Sequence, residues 1–297
     1  MSALPEIRDL VLRHVGRATP DGLVLHRSEH PTEPMPSQST PIFALVAQGA
    51  KHAAVGERAF SYGAGQFVVS SVELPVIAHV SRATPAEPYL VLGLRLRPPL
   101  VAELLLEAPP AGRGEPAPGF AVSTAGAELL DAVLRLLRLL DRPDDQRVLW
   151  ASVEREIVWR LMTSPQGGTV RQIGLGETNV AQIGRAIRWI HEHHADLFRI
   201  EDVARVAGMS VTSLHRHFRA ITTMTPLQFQ KLIRLHEARN RLLAEPGDVA
   251  AVGFAVGYES ASQFSREYRR LFGLPPGRHT ARLAENGHRP PAEVAVT

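Results

Sequence analysis

IEDVARVAGMSVTSLHRHFRAITTMTP (Ile200–Pro226) and VAAVGFAVGYESASQFSREYRRLFGLPP (Val249–Pro276) carry one pattern twice. Leu214, Arg216, Phe218, Arg219 and Pro226 match Phe264, Arg266, Tyr268, Arg269 and Pro276 at a constant offset of 50. The glycines Gly208 and Gly257 stand 49 apart, so the second copy holds one extra residue, and a turn accommodates such an insertion.

Each copy reads as a short helix, a glycine-containing turn and a second helix that opens at a serine. In the first copy, residues 200–222, Ile200–Ala207 supplies the apolar positions Val203, Ala204 and Val206. Gly208 accepts the positive φ of a tight turn, and Ser210 caps the helix that follows. Leu214, Phe218 and Ile221 then fall at i, i+4 and i+7 and face a core, leaving Thr212, Ser213, His215, Arg216 and Arg219 on other faces. The second copy, residues 249–272, repeats this with Val249–Val256, the turn Gly257, the cap Ser260, and a stripe of Phe264, Tyr268 and Leu271. Ser262, Gln263 and Arg266 are expected on its exposed side, with Glu259 or Glu267 as alternative ion-pair partners for Arg266.

Ala204, Ala207, Gly253 and Ala255 are small enough for the close crossing of a helix-turn-helix, whose second helix enters the major groove of DNA. A single copy also occurs as ordinary packing in enzymes; two copies joined by a rod are harder to explain that way. The rod is Pro226–Glu245, with Phe229, Leu232, Ile233, Leu235, Leu242 and Leu243. At ~1.5 Å per residue it spans about 28 Å, against ~34 Å between successive major-groove faces on one side of the duplex. Modest DNA bending closes that gap.

Working back from the repeat, residues 164–179 include Gln166-Gly167-Gly168-Thr169 and Gly174-Leu175-Gly176, show little periodicity, and read as a linker. Residues 180–283 then form the helical domain and residues 1–163 a first domain. In that first domain, Ile42–Ala47, Lys51–Val55, Ala59–Tyr62, Gln66–Ser70, Val76–Val80 and Tyr89–Leu96 read as short strands. They are separated by Gln48-Gly49, Gly56-Glu57, Gly63-Ala64-Gly65 and a proline-containing loop. Such spacing predicts an antiparallel sandwich or small barrel that can hold a ligand between its sheets. Ala108–Gly119, rich in proline, reads as a loop, and two helices follow at Ala127–Leu140 and Val148–Met162. The first of these carries eight leucines and valines, more than one narrow stripe requires, and suggests either packing on the strands or a homodimer face.

Composition narrows the function classes. The chain has no cysteine, which excludes disulfides, iron–sulfur clusters, thiolate zinc sites and cysteine nucleophiles. From Asn179 onward there are 16 basic and 11 acidic residues, against 17 and 19 before it, so positive charge collects in the helical part. Only Lys51 and Lys231 of the 33 basic residues are lysine, and arginine suits bidentate contacts with phosphate or guanine. Met1–Arg17 has no apolar core of a signal peptide and no stretch reads as a membrane span, which gives a cytoplasmic expectation.

The runs Ile200-Glu201-Asp202-Val203-Ala204, Met209-Ser210, Phe218, Thr225-Pro226, Val256-Gly257-Tyr258-Glu259-Ser260, Gln263-Phe264-Ser265-Arg266 and Phe272-Gly273-Leu274-Pro275-Pro276 together resemble the AraC/XylS regulators, over about Ile183 to Arg282. Gln48-Gly49, Tyr62-Gly63-Ala64-Gly65, Leu74-Pro75 and Pro88-Tyr89-Leu90 resemble the AraC-type N-terminal arm domain of one subgroup. The resemblance implies an α+β chain: a cupin-like β-barrel or sandwich with helices for effector binding or dimerisation, then an all-α double helix-turn-helix domain. It implies base contacts through Thr212, His215 and Arg216, and through Ser262, Gln263 and Arg266; Arg219, on the polar face that the helical periodicity leaves, is expected to contact DNA as well. It implies operator DNA and RNA polymerase as partners, a small-molecule effector, and activation more than repression.

No catalytic group, cofactor or metal is expected. His191-Glu192-His193-His194 and His215/His217 contain no i, i+4 pair and read as solvated helix-end histidines, while His52 and His79 stand alone. In the strand region the closely spaced His-x-His and downstream Glu of metal-binding cupin enzymes are missing, and the chain shows neither a Gly-x-Ser-x-Gly elbow nor a phosphate-binding glycine loop. Two other readings stay open at this point: a β-barrel enzyme or small-molecule binder with a helical scaffold, and a constitutive DNA-binding protein whose barrel is empty.

Overall fold

The computed structural model describes residues 3–107, 117–175, 179–244 and 247–285. The chain separates into two compact units, the first holding the residues up to Ile183 together with Ala220–Thr223, the second Gly184–Arg219 and the described residues from Met224 on.

The first unit opens with helix α1 (Leu4–His14), whose Ile7, Leu10, Val11 and His14 make a buried stripe. Strands β1 (Leu23–Ser28), β2 (Met35–Ser39), β3 (Ile42–Gln48), β4 (Ala50–Val55), β5 (Arg58–Gly63), β6 (Gln66–Ser70), β7 (Leu74–Arg82) and β8 (Tyr89–Arg95) follow. Then come α2 (Pro98–Glu107), β9 (Phe120–Thr124), α3 (Ala127–Arg138), a 3-10 turn at Leu139–Asp141, α4 (Pro143–Met162) and α5 (Gly167–Gly174). The strands form two antiparallel sheets, β1-β8-β3-β6-β9 and β2-β7-β4-β5. The architecture is thus a sandwich, with no barrel closure between the sheets among the described residues. The six strands read from the sequence are all present; β1, β2 and β9 are additional.

Alternation along each strand divides the apolar residues between two cores. Phe43, Leu45, Phe67, Val69, Leu90, Leu92 and Leu94 of the five-stranded sheet pack with α1, α3 and α4 in one continuous cluster. The alternate positions of that sheet, such as Val46, Val68 and Tyr89, turn toward the four-stranded sheet and its buried Ala53, Val76, Ala78 and Val80.

The glycine-rich separators have different roles. Gly56, at φ 58°, turns the hairpin between β4 and β5 inside one sheet, whereas Gly49 and Gly65, at φ 81° and 78°, sit where the chain crosses between sheets. Gly49 is the tightest: a Cβ there would lie 2.6 Å from the Arg82 carbonyl oxygen and 2.9 Å from the Tyr89 Cα. Gly49→Ala is therefore expected to lower unfolding free energy by about 2–3 kcal/mol through strain and backbone displacement. A urea titration followed by circular dichroism checks this; an unchanged midpoint would mean the corner is looser than its backbone geometry.

Two expectations are corrected here. The surplus apolar surface of α3 is consumed inside the chain: Leu129, Val133, Leu134, Leu136 and Leu137 are buried, as is Leu139 of the 3-10 turn that follows, with α1 and α4 both packed on the helix. The argument for a homodimer face on α3 therefore falls away. The stretch read as a linker contains α5, a helix packed on α2 and α4. Its glycines serve contact, not flexibility: a Cβ at Gly174 would lie 2.5 Å from the Ala102 backbone nitrogen. The loop read at Ala108–Gly119 lies largely outside the described residues. No described helix is long and apolar enough to cross a membrane.

The second unit is helical: α6 (Asn179–Glu192), α7 (Ile200–Ala207), α8 (Val211–Thr222), α9 (Pro226–Ala244), α10 (Val249–Ala255), α11 (Ala261–Phe272) and α12 (Pro276–Glu285). Helix α9 is the shared rod. Near its start Phe229 meets Phe218 of α8 edge-on at 5.4 Å. Further along, Leu235, Ala238 and Leu242 join Val256, Tyr258, Phe264 and Tyr268 in one buried cluster. One helix thus anchors both copies of the repeat.

Candidate nucleic-acid interface

The repeat seen in the sequence is a repeat in space. Both turns use a left-handed glycine, Gly208 at φ 69° and Gly257 at φ 92°. Both second helices open at a serine whose hydroxyl accepts from a first-turn N–H: Ser213 to Ser210 at 3.2 Å, and Gln263 to Ser260 at 3.4 Å. The small residue before the second turn has a packing role, since a Cβ at Gly253 would press on the Phe264 ring at 2.9 Å. Leu214 and Phe218 are buried in α8, as are Phe264 and Tyr268 in α11.

The outward faces correspond equally well. Thr212, His215, Arg216 and Arg219 of α8 are exposed, and so are Ser262, Arg266, Arg269 and Arg270 of α11. Arg216, Arg219 and Arg266 form no ion pair among the described residues; Arg216 makes only a 3.2 Å contact from Nη2 to the His217 ring. Neither Glu259 nor Glu267 forms an ion pair with Arg266 among the described residues. Glu267 turns inward, where it accepts from Lys231 Nζ at 3.1 Å, Tyr258 OH at 2.9 Å and Gln263 Nε2 at 3.2 Å. Burial raises the pKa of Glu267, but the hydrogen bonds from Gln263, Lys231 and Tyr258 outweigh it and hold the carboxylate below its usual range.

This cluster corrects the expected exposure of Gln263. Its side chain is half-buried and spends its amide on Glu267. Ser262 is exposed, with its hydroxyl 2.9 Å from that of Ser260. Of the expected second-helix contacts, Arg266 is the one left without an internal partner.

Sequence reading missed the group that sets the second turn. Arg234 of α9 donates from Nε to the His194 carbonyl at 2.6 Å, from Nη1 to Gly257 at 2.8 Å and from Nη2 to Asp196 at 2.8 Å. Its guanidinium also lies 6.0 Å from the centre of the Tyr258 ring. It therefore ties the turn before α11 to the loop between α6 and α7. Nothing in the one-dimensional pattern separates this arginine from the surface arginines of the same helix.

The histidines divide differently from expectation. His191 is half-buried, edge-on to Phe229 at 5.8 Å, and burial followed by repulsion from His194 pushes its pKa down to about 4. His236 is buried in α9, and burial, then Arg239 and His191, push it down to about 3. In the first unit, strand register sets His52 opposite His79 with rings stacked at 5.1 Å. Among the described residues no three histidine, aspartate or glutamate side chains converge as a metal site.

Buried neutral histidines make stability depend on pH with a definite sign. In the unfolded chain each titrates near ~6.5, and in the fold both titrate lower, so below that pH the unfolded state binds protons the folded state refuses. Stability is full above pH ~6.5 and falls on acidification, by up to ~1.4 kcal/mol per pH unit for each histidine, until the folded pKa values are reached. Melting of the second unit is expected to drop steeply between pH 6.5 and 5; a flat profile there would place both rings in solvent.

Residues 20–169 match the model of the AraC-type transcriptional regulator N-terminus, and residues 203–282 match a helix-turn-helix domain model. The chain belongs to the AraC-type transcriptional regulators. Among relatives of this regulator, the HTH-type transcriptional activator RhaS of Escherichia coli O1:K1 / APEC is 24% identical over 148 residues, covering 50% of this chain and 53% of the relative. RhaS of Salmonella schwarzengrund (strain CVM19633) is 28% identical over 151 residues, with the same coverage of 50% and 53%. The chain thus spans about half the length of the RhaS relatives it matches. In fold it is similar to apo ToxT from Vibrio cholerae strain SCE256, with a TM-score of 0.53 at 8% identity, over 89% of this chain and 99% of ToxT.

Proposed function

We propose that this AraC-type regulator binds one operator with both helix-turn-helix units and that a small molecule held by the first unit modulates that binding. The observation that carries the reading is the pair of arginine-bearing helix faces, repeated in sequence and exposure, whose charges are left unpaired. Thr212, His215 and Arg216 of α8 and Arg266 of α11 are positioned for base edges, Arg216 and Arg266 suiting guanine O6 and N7. Arg219 and Ser262 flank them and serve backbone or base contacts. Gln263 joins the DNA-facing set only by leaving Glu267. Activation as the sign of control follows the RhaS relatives, which are transcriptional activators, while RNA polymerase as a partner and the cytoplasm as the compartment follow the family resemblance.

A mobility-shift titration of the full chain tests the reading, using DNA from upstream of its own gene and a scrambled fragment at two salt concentrations. The expected result is a specific complex that survives the higher salt, while binding to scrambled DNA falls steeply. Equal affinity for both fragments at both salts would remove the sequence-specific reading.

A further inference from the structure

His52 and His79 are far apart in sequence, and strand pairing between β4 and β7 brings them together. On β4, Ala53 and Val55 are buried in the interior of the sandwich, so the alternate position, His52, lies on the outward face and is exposed. On β7, Ala78 and Val80 are buried in the same way, and His79 stands between them on the outward face, half-buried. Register sets His52 directly opposite His79 on one side and Ser61 of β5 on the other. Ser61, His52 and His79 therefore form one row across three neighbouring strands.

The row has a defined geometry. The two imidazole rings lie 5.1 Å apart, centre to centre, with their planes 20° from parallel. Ser61 Oγ is 2.7 Å from His52 Nδ1. Toward the β4–β5 hairpin the next outward pair is Ala54 and Ile77, which adds no polar group. No group of three histidine, aspartate or glutamate side chains forms around them among the described residues, so an ion held by the two rings keeps open positions.

A neutral imidazole with a free nitrogen lone pair is a ligand for copper, nickel and zinc. The His79 ring meets the first condition, since burial and then the neighbouring His52 hold its pKa below the ordinary value of 6.5. Ser61 governs the second condition at His52. A ring that donates its Nδ1–H to the Ser61 hydroxyl keeps its lone pair on Nε2, which is how outer-shell partners orient metal-binding histidines. Two nitrogens held by one ion at ~2.0–2.1 Å each stand roughly 3–4 Å apart. Ring centres at 5.1 Å are compatible with that separation once the exposed His52 ring turns about its side-chain bonds. The paired strands meanwhile fix both backbone positions.

We infer that His52 and His79 form a two-imidazole site for a divalent transition-metal ion of the copper, nickel and zinc class, with Ser61 as the positioning residue that sets the His52 tautomer and water in the remaining coordination positions. Hard ions such as Mg2+ prefer carboxylate and carbonyl oxygen and find no such ligand in the row. The site belongs to the first unit and is independent of how the chain meets DNA. The competing account is a cross-strand ring pair that only packs.

The test is a calorimetric titration of the full chain, first stripped with EDTA, with NiCl2 and ZnCl2 and with MgCl2 beside them. Ni2+ and Zn2+ bind, and Mg2+ does not. His52→Ala and His79→Ala each weaken the tightest binding step at least ~tenfold, whereas His30→Ala, which removes another exposed histidine of the same unit, leaves it unchanged. Ser61→Ala keeps both rings and weakens the same step roughly tenfold, and Ser61→Thr, which retains the hydroxyl, restores it. One equivalent of CuCl2 gives an electron paramagnetic resonance spectrum with two imidazole nitrogens in the wild type and fewer in either histidine variant. Should a histidine variant fail to fold, the wild-type spectrum and the two Ser61 variants decide. Absence of binding, an equal response to Mg2+, a wild-type spectrum without two nitrogens, or wild-type affinity in a folded His52→Ala or His79→Ala chain overturns the site and leaves the rings as a packing pair.

Discussion

Gly257→Ala lowers the melting transition of the second unit steeply. The turn holds this residue at φ 92°, where an L side chain is strained, and a Cβ would lie 2.4 Å from the Ala195 carbonyl oxygen and 2.8 Å from Arg234 Nη2. The second of these contacts is with the guanidinium that ties the turn to the carbonyls of His194 and Asp196. Relief of the clash therefore breaks hydrogen bonds that relief of φ strain alone would leave intact. The combined cost is expected at about 3–5 kcal/mol, a large fraction of the stability of a domain this size. Gly208→Ala provides the comparison: its left-handed φ of 69° is expected to cost about 1–2 kcal/mol in backbone strain. Calorimetry of both variants decides the matter, with the transition of the first unit as an internal reference. Equal shifts in the two variants would mean that backbone strain is the whole effect and that the Ala195 contact relaxes freely.

The repeat was legible because it depends on spacing. Leu214, Phe218, Phe264 and Tyr268 sit at helical intervals, and all are buried as those intervals require. The strands from Ile42 to Arg95 were legible because each is short and closed by glycine or proline. What escaped has two different causes. Helix α1 did carry a signal, since Ile7, Leu10, Val11 and His14 follow i, i+3, i+4, i+7, but it is one short stripe interleaved with Glu6, Arg8, Asp9 and Arg13. Arg234, Glu267 and the burial of Gln263 carried none: their roles arise from contacts between helices distant in sequence, and composition is blind to which arginine meets a carbonyl. The surplus leucines of α3 misled for a related reason. A helix enclosed by α1, α4 and a sheet is apolar on several faces without any second copy of the chain.

The same contacts set the order in which DNA-facing substitutions act. Arg216→Ala is expected to weaken operator binding by roughly 10–100-fold, corresponding to ~1–3 kcal/mol for a bidentate base contact, while binding to scrambled DNA changes little. Arg216 is free to act this way because its side chain gives up only a 3.2 Å contact with the neighbouring His217. Arg266→Ala is expected to act similarly at the other half-site, since Glu267 is held by Lys231, Tyr258 and Gln263. The two lie on separate helices, so their free energies are expected to add, and the double variant retains only salt-sensitive, sequence-independent affinity. Gln263→Ala behaves differently. Its amide is already committed to Glu267, so reaching adenine exchanges one hydrogen bond for another, and its loss costs stability more than specificity. Measured operator-to-scrambled affinity ratios should therefore fall in Arg216→Ala and Arg266→Ala and stay close to wild type in Gln263→Ala. Were Gln263→Ala to erase the ratio while leaving the melting temperature untouched, the second helix would read DNA through its amide, and the inward Glu267 cluster would have to open when DNA binds.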